Sequence, residues 1–387
     1  MQTFGIYIHI PFCRQKCFYC DFPSFAGRES KIPAYLQALE QELYLLRRGQ
    51  AEDGLCGGTG RLAPVTIYIG GGTPSVLSLP ELEALFALLG RQIDFAGAGE
   101  ITLEVNPGTA AEDKLQLLRE AGVTRLSVGA QSFDDGCLQA AGRIHTGQEA
   151  EKIILQAQEL GFADISLDLM YGLPRQTLPV LEHSLAKALS LGVQHISIYG
   201  LQLEPGTAFA RMQEQGRLHL PDDALTEAMY DCINETLPAA GYHRYEISNF
   251  ALRGHESRHN LSYWQDVPYL GIGSGAHSYW QGRRCFNQDS LAGYMEDISR
   301  GKVLAHIEEN MTAQAHMEEY CFLALRTACG ISAAAFQQKF RQSVHEVYGK
   351  KIAVLAERGL LRQTGDHIAL TDLGMKFGNQ VFGEFLL

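Results

Sequence analysis

Short apolar runs alternate with amphipathic segments through the first half of the chain. Six runs have the length and residue types of buried strands, and they lie near residues 4–10, 65–70, 100–105, 124–129, 164–169 and 195–200. The segments between them carry apolar residues at helical spacing, as over residues 32–48. Strands that alternate with helices predict parallel βα units. Six units are too few for a closed eightfold barrel, so we expect an α/β fold with an open, partial (β/α)6 barrel.

Capping signals mark the ends of these predicted helices. Three pairs of residues have capping-box spacing, with Thr177 as a further N-cap, and the pairs are Ser78 with Glu81, Thr109 with Glu112, and Thr146 with Glu149. Three glycines close helices directly before strands, namely Gly122, Gly161 and Gly192. The repeat of cap, helix, glycine and strand supports the parallel βα interpretation.

The second half of the chain has a different pattern. Residues 54–64 read as a glycine-rich loop, 221–241 as a helix and 242–250 as a strand. Helical patterns over 317–328, 336–340 and 348–358 precede a two-stranded ribbon over 360–371, closed at Gly365. This order predicts a smaller, mainly helical, winged-helix-like domain. We expect a core domain over 1–240, a connecting segment over 241–305 and a C-terminal domain over 306–387.

Composition narrows the class of protein. The chain has 387 residues, 46% of them apolar and 20% charged, which is typical of a globular protein with a sizeable core. Its net charge of −12 makes nucleic acid and anionic lipid poor partners. Nine cysteines are too few for a disulfide scaffold. With no signal-peptide pattern and no apolar run that could span a bilayer, we expect a cytoplasmic protein.

Three of these cysteines form a tight group, C-x3-C-x2-C, at Cys13, Cys17 and Cys20. A spacing this short requires a loop, and thiolates bind soft metals. A structural zinc site needs four ligands, and a fourth is not obvious although His9 is near. Three thiolates on a [4Fe–4S] cluster leave one iron open for another ligand. Zinc or purely structural thiols remain the alternatives at this point.

Polar residues follow the predicted strands at the edge where such folds place their chemistry. Glu104, Gln131 and Asp168 lie at three successive strand ends, and Arg143 lies on the loop after the fourth strand. A glycine-rich run, 70–75, follows the second strand. Any one of these could be an ordinary capping residue, but their common position beside the cysteine loop indicates one site.

A third chemistry-bearing stretch lies between residues 255 and 280. It contains His255, His259, His277 and both tryptophans, with several glycines. Histidines beside aromatic residues and close-approach glycines suit a flat aromatic or metal-bearing ligand. Aromatic packing with surface histidines explains the same pattern equally well.

These motifs together resemble the HemN/HemW group of radical S-adenosylmethionine (SAM) proteins, from residue 7 to the end of the chain. The group contains oxygen-independent coproporphyrinogen III oxidases and haem chaperones. The resemblance implies a [4Fe–4S] cluster on Cys13, Cys17 and Cys20. It also implies a SAM site formed by Tyr7, Tyr19, Gly71, Gly72, Thr73, Glu104, Gln131, Arg143 and Asp168. In such proteins the reduced cluster cleaves SAM to a 5′-deoxyadenosyl radical.

Within that group the chain departs from the oxidase pattern. Phe22 occupies the position of a further oxidase cysteine, and only twelve residues precede Cys13, where the oxidases have a longer segment. The H-N-x-x-Y-W motif of the HemW branch, associated there with haem, is present as His259, Asn260, Tyr263 and Trp264. His255 and His277 are further candidates for a haem ligand.

The resemblance therefore implies a haem-binding chaperone that passes haem to acceptors such as haem enzymes or respiratory cytochromes. The alternative is a coproporphyrinogen III oxidase, and an RNA-modifying enzyme is disfavoured by the charge of −12. No residue is assigned a catalytic role, so whether the protein is an enzyme stays open. The oligomeric state also stays open, with a homodimer as one expectation.

Overall fold

The structure is a computed structural model that describes residues 3–49 and 60–386. Most of the loop predicted over 54–64, including Cys56, lies outside the described residues. The other eight cysteines form no disulfide in the described part of the chain.

The predicted barrel strands are present, and each pairs in parallel with the next. They are Gly5–Ile10, Thr66–Gly71, Glu100–Val105, Arg125–Gln131, Asp164–Tyr171 and His195–Gly200. We call them barrel strands one to six. Because they are parallel, their carboxyl ends meet at one edge and bring the following loops together. The prediction of a partial six-stranded barrel is confirmed.

Each barrel strand is followed by one or two helices. They are Ile32–Gly49, Leu79–Gln92, Glu112–Glu120, Asp135–Ala140, Gly147–Glu159, Leu178–Ser190 and Ala208–Glu214. The capping boxes at Ser78 and Thr146 form as predicted, and Thr177 is an N-cap. The predicted box at Thr109 is wrong, and Ala111 caps that helix. The Thr109 hydroxyl is engaged elsewhere, at 2.6 Å from both Ser75 Oγ and the Asn106 carbonyl.

The chain then adds strands to one edge of the barrel sheet. The helix predicted over 221–241 is present as Asp223–Ala239. The single strand predicted over 242–250 is wrong, because the chain turns back on itself between His243–Arg244 and Asn249–Ala251. The Glu246 carboxylate stabilises that turn by accepting the Ser248 N–H at 2.8 Å. Asn249–Ala251 pairs antiparallel with barrel strand six.

The opposite edge is extended as well. Tyr269–Ile272 lies parallel to barrel strand one, and three antiparallel strands continue outward from it. They are His277–Trp280, Arg283–Phe286 and His306–Asn310, with helices Arg258–Trp264 and Leu291–Ser299 in the same segment. The described residues thus form one twelve-stranded sheet with the six barrel strands at its centre.

The C-terminal part has its own core, built around Phe336, Tyr348 and Phe385. Its helices are Ala313–Leu325, Ala333–Phe340, Val344–Glu357, Asp372–Lys376 and Gly378–Gly383. The predicted ribbon is present as Leu361–Thr364 and His367–Leu370, joined by Ile331–Ser332 as a third strand. The mainly helical, winged-helix-like interpretation is confirmed. None of the helices in the described part of the chain is long and apolar enough to cross a membrane.

Candidate functional site

A cavity of about 390 Å³ opens inside the barrel, and we call it the barrel cavity. The cysteine loop closes one side of it. Two short strands that pair in parallel, Phe12–Cys13 and Phe25–Ala26, hold the two ends of that loop. Of the predicted site residues, twelve line this cavity, namely Cys13, Cys17, Cys20, Tyr19, Gly71, Gly72, Thr73, Glu104, Gln131, Arg143, Asp168 and Asn260.

The three thiols share the cavity without converging on a point. Among the described residues no three His, Cys, Asp or Glu side chains are grouped tightly enough to hold a single ion. A zinc ion would therefore require the loop to rearrange, whereas each thiolate of a [4Fe–4S] cluster binds a different iron. Burial raises the pKa of the Cys13 thiol and raises that of Cys20 to about 11. Iron binding would have to drive deprotonation of these two thiols.

A chain of polar contacts connects the loop to two strand ends. Arg143 donates through Nη1 to Cys17 Sγ at 3.5 Å and through Nη2 to Asn106 Oδ1 at 2.8 Å. Asn106 Nδ2 donates to Thr73 Oγ1 at 2.7 Å, and Thr73 Oγ1 lies 3.5 Å from Cys13 Sγ. The guanidinium is thus held between a thiol and an amide, where it can also receive a carboxylate from a ligand.

Two glycines bring bare backbone to the cavity wall. Gly71 has a φ of +109°, and a Cβ there would lie 2.4 Å from the His9 ring. A Cβ on Gly72 would lie 2.7 Å from the Phe12 carbonyl oxygen. Side chains are therefore excluded at both positions, which leaves a backbone cradle beside the cysteine loop.

Two buried carboxyl groups face the cavity. Glu104 accepts from the Tyr68 hydroxyl and from the Gly71 N–H, both at 2.9 Å. Asp168 accepts from the Ser127 hydroxyl at 3.0 Å. Burial outweighs these donors and raises the pKa of Glu104 to about 7 and that of Asp168 to about 6. Oriented carboxylates suit ribose hydroxyls or an ammonium group, so the wall fits a SAM-like ligand.

Gln131 reaches the cavity through an irregularity in barrel strand four. The pairing register with strand five shifts between Gly129 and Gln131, and Gln131 has a φ of 65°. A non-glycine residue with left-handed backbone angles in a bulge points its side chain in a different direction from that in a regular strand, and here the Gln131 side chain enters the cavity. Tyr19, on the cysteine loop, faces the same space, and burial raises the pKa of its phenol.

Tyr7 does not line the barrel cavity. Its hydroxyl lies 2.9 Å from His9 Nδ1. His9 Nε2 lies 2.8 Å from the Pro23 carbonyl, so Nε2 carries the proton and Nδ1 accepts from Tyr7. Tyr7 thus supports His9, which in turn packs against Gly71.

The H-N-x-x-Y-W motif forms the short helix Arg258–Trp264 at the floor of the barrel. The Glu100 carboxylate accepts the N–H groups of Arg258 and His259, at 3.2 and 3.0 Å, and pairs with Arg125 at 3.0 Å. Asn260 reaches the barrel cavity from this floor. The helix is therefore fixed to the amino-terminal ends of the barrel strands.

His259 is buried with both ring nitrogens engaged. Nδ1 lies 2.9 Å from Thr66 Oγ1, Nε2 lies 2.9 Å from the Tyr263 hydroxyl, and the ring stacks on Tyr68. Burial lowers the pKa of His259 to about 3, so the imidazole is neutral. Trp264 faces the other way, and the guanidinium carbon of Arg326 lies 4.6 Å from its ring centroid.

The other candidate histidines lie beside acidic side chains. His255 Nδ1 is 2.6 Å from the Asp164 carboxylate, and His277 is an exposed residue on an outer strand, 3.5 Å from Glu308. Neither lines the barrel cavity.

Several cavity residues were missed from the sequence. Tyr68, Asn106, Ser127, Ser197 and Tyr199 line the barrel cavity. Asn106 is a polar residue directly after the end of barrel strand three, and this position could have identified it from the sequence. The others lie within barrel strands, where only the inward direction of alternate side chains could have identified them.

Three thiols in a loop, a glycine cradle and carboxylates at the ends of a parallel half-barrel define a radical SAM site. The family model of the radical SAM superfamily matches residues 7–188, and the model of the HemN C-terminal domain matches residues 311–377. Membership of that superfamily implies SAM and a [4Fe–4S] cluster, in agreement with the residues present here.

Full-length relatives narrow the assignment. The chain is 40% identical to heme chaperone HemW of Bacillus subtilis, covering 98% of both chains. It is 34% identical to heme chaperone HemW of Escherichia coli, covering 100% of this chain and 99% of that one. The solved structure of coproporphyrinogen III oxidase (HemN) from Escherichia coli has a TM-score of 0.85 at 24% identity, covering 100% of this chain and 90% of that one. The chain belongs to the HemW family of radical SAM proteins.

Proposed function

We propose that the protein is a haem chaperone, which binds haem and transfers it to acceptor haem proteins. The observation that carries the proposal is the complete H-N-x-x-Y-W motif, in a chain whose relatives along its full length are named heme chaperone HemW. The acceptors would be haem enzymes or respiratory cytochromes, and the protein would act in the cytoplasm. A homodimer is compatible with this role.

The barrel cavity would hold the cluster and SAM. Cys13, Cys17 and Cys20 would ligate three irons, and bound SAM supplies either radical chemistry or a signal that controls haem release. The chain's own residues would orient SAM: backbone at Gly71 and Gly72 allows close approach, and Arg143 can receive its carboxylate. The carboxyl groups of Glu104 and Asp168 face the same space.

Phe22 favours the chaperone over the oxidase. It lies at the rim of the barrel cavity with 58% of its surface exposed, and its side chain cannot ligate iron or donate a proton. The oxidase pattern has a cysteine at this position. The loop therefore lacks one of the reactive groups that the oxidase resemblance would require.

The motif residues His259, Asn260, Tyr263 and Trp264 remain the proposed haem determinants. A direct bond from His259 to haem iron would require the imidazole to leave Thr66 or Tyr263, because both nitrogens are engaged. The buried network thus favours a role for His259 in shaping its surroundings over a preformed axial ligand.

Haem titration followed by transfer tests the proposal. The protein, with its cluster reconstituted anaerobically, should shift the haem Soret band with saturation and then pass haem to an apocytochrome supplied in excess. The His259→Ala variant should bind haem more weakly. Absence of saturable binding by the unsubstituted protein would contradict the proposal.

The alternative function is oxygen-independent coproporphyrinogen III oxidation, favoured by the eight of the nine predicted SAM residues that line the barrel cavity. The same anaerobic preparation, given SAM, a strong reductant and coproporphyrinogen III, is examined by chromatography. We expect no protoporphyrinogen IX. Stoichiometric turnover would establish the oxidase and leave the haem motif needing another role.

A further inference from the structure

A second cavity, of about 830 Å³, lies between the barrel and the C-terminal helices, and we call it the seam cavity. Ile198, Tyr230 and Phe250 line it from the barrel side, and Arg326 and Phe382 line it from the C-terminal side. Its volume lies near the upper end of the range of about 300–1,000 Å³ typical of small-molecule sites. The barrel cavity is less than half as large and contains the cysteine loop.

Two of the cations in the seam cavity already have hydrogen-bond or ionic partners. Arg244 donates to the Tyr230 hydroxyl at 2.8 Å and packs over its ring. Lys376 pairs with Glu227 at 3.0 Å and with Asp231 at 2.6 Å. These two side chains serve the structure of the wall.

Arg326 differs from both. Its Nε is buried and has no hydrogen-bond acceptor among residues 3–49 and 60–386. Aromatic faces hold the guanidinium instead, with ring centroids of Trp264, Phe322 and Phe382 at 4.6, 5.5 and 5.9 Å. Glu246 acts on it electrostatically, without a hydrogen bond between the two side chains in the described structure. Because Arg326 also lines the seam cavity, it is a positioned cation that an anion in the cavity can approach.

Resting on the proposed haem-binding function, we propose that the seam cavity is the haem site. The porphyrin ring packs against the apolar and aromatic walls, and one propionate accepts hydrogen bonds from Arg326. A porphyrin is flat, largely apolar and carries carboxylates at one edge. The cavity offers a matching size, several aromatic side chains and Arg326, whose Nε has no acceptor in the described part of the chain.

A contact between Trp264 and Arg326 connects the motif helix to the seam cavity, so the motif can affect haem binding without a preformed histidine ligand. Trp264 is the last residue of Arg258–Trp264 and lies against the Arg326 guanidinium. His259, at the other end of that helix, is held in the barrel floor. Substitutions in the motif displace Trp264 and, through it, the cation that receives the propionate.

Equilibrium haem titration of the full-length protein tests this site in two independent ways. With the unsubstituted protein, haem dimethyl ester should bind about tenfold to a hundredfold more weakly than haem, because the ester removes the carboxylate partner of Arg326. Arg326→Met should weaken haem binding by a similar factor and should bind the ester no more weakly than the unsubstituted protein does. Arg326→Lys should retain part of the affinity.

Two further variants make the test specific. Thr226→Trp fills the seam cavity from the helix Asp223–Ala239 without changing charge, and it should also weaken haem binding. Arg358→Met removes the same charge from an exposed helix end and should leave haem binding unchanged. Thermal melts identify any variant that fails to fold, and the ester comparison needs no variant at all.

The outcomes separate this site from the proposed function. Haem binding that is equally tight for Arg326→Met, Thr226→Trp and the dimethyl ester would overturn the seam site while leaving the chaperone proposal standing. Failure of the unsubstituted protein to bind haem would overturn both.

Discussion

The barrel cavity and the seam cavity lie on opposite faces of the same strand. Along barrel strand six, His195, Ser197 and Tyr199 line the barrel cavity, whereas Ile198 and Gly200 line the seam cavity. Alternate residues of a strand point to opposite sides of the sheet, so one six-residue segment contributes to two different environments. The comparison shows how a single apolar run in the sequence can contain two sites.

The two cavities differ in their charged groups. The barrel cavity presents the carboxyl groups of Glu104 and Asp168 together with Arg143, which suits a ligand such as SAM that carries both cationic groups and a carboxylate. The seam cavity presents Arg326, which suits an anionic ligand. The net charge of −12 describes neither of them, because local groups set the potential inside a cavity.

The largest effect is expected from removing the cluster, which should abolish SAM binding in the barrel cavity and leave haem binding in the seam cavity intact. Cys17→Ala should abolish the visible absorbance of the cluster and reduce the iron content accordingly, because a three-thiolate site has no spare ligand. SAM binding should fall below detection, while haem titration stays within twofold of the unsubstituted protein. Loss of haem binding in parallel would show that the two cavities are one functional unit.

The second largest effect is expected on stability, at the barrel floor to which Glu100 fixes the motif helix. Glu100→Gln leaves the buried Arg125 without its main counter-ion, and the cost should be about 3 kcal/mol of unfolding free energy. Urea unfolding measures it. Glu296→Gln, in an exposed pair with Arg300, is the matched control and should cost at most about 0.5 kcal/mol. Equal effects would contradict the assignment of Glu100 as the buried anchor.

The third effect is a pH dependence of SAM binding, which we expect from the two carboxyl groups of the barrel cavity. Burial raises the pKa of Glu104 to about 7 and that of Asp168 to about 6, so as the pH falls from 8 to 6 Glu104 loses most of its charge and Asp168 about half. A cationic ligand prefers the ionised forms, and affinity should therefore fall about tenfold across this window. Calorimetric titrations at several pH values measure it.

An Asp168→Asn variant provides the control for that measurement. It should bind SAM more weakly at pH 8 and show a shallower decline towards pH 6, because one of the two titrating groups is gone. An unchanged profile would exclude Asp168 from the SAM site.

The smallest effect is expected at Tyr68, which stacks on His259 of the motif and donates a hydrogen bond to Glu104 in the barrel cavity. Tyr68→Phe removes the hydrogen bond to Glu104, so SAM should bind about twofold to tenfold more weakly and the midpoint of its pH profile should rise. Tyr7→Phe removes a hydroxyl outside the cavity and should leave SAM affinity unchanged. A larger effect at Tyr7 would restore it to the SAM site predicted from the resemblance.

Much of the fold could be predicted because local signals agreed with the global architecture. Apolar runs, capping residues and closing glycines located all six barrel strands. The errors came where tertiary contacts overrode a local signal. Thr109 has the spacing of a cap, but Ser75 and Asn106 take its hydroxyl. The strand predicted over 242–250 is interrupted by the turn at Glu246.

The residues of the candidate site also fall into those that the sequence could predict and those that it could not. Loop residues such as Cys13, Gly71 and Arg143 could be predicted, because their types are unusual and the family resemblance supplied their roles. Tyr68 and Tyr199 could not, because an inward-facing tyrosine in a strand has the same sequence pattern as a core residue.

The sequence alone determined the class of site: thiol spacing, glycine runs and strand-end polar residues are local features whose chemistry does not depend on distant contacts. Only the tertiary structure decided which faces meet. It buried His259 between Thr66 and Tyr263, set Trp264 against Arg326 and formed the seam cavity from segments far apart in the chain. Packing between such segments depends on three-dimensional shape, which hydrophobic periodicity does not encode.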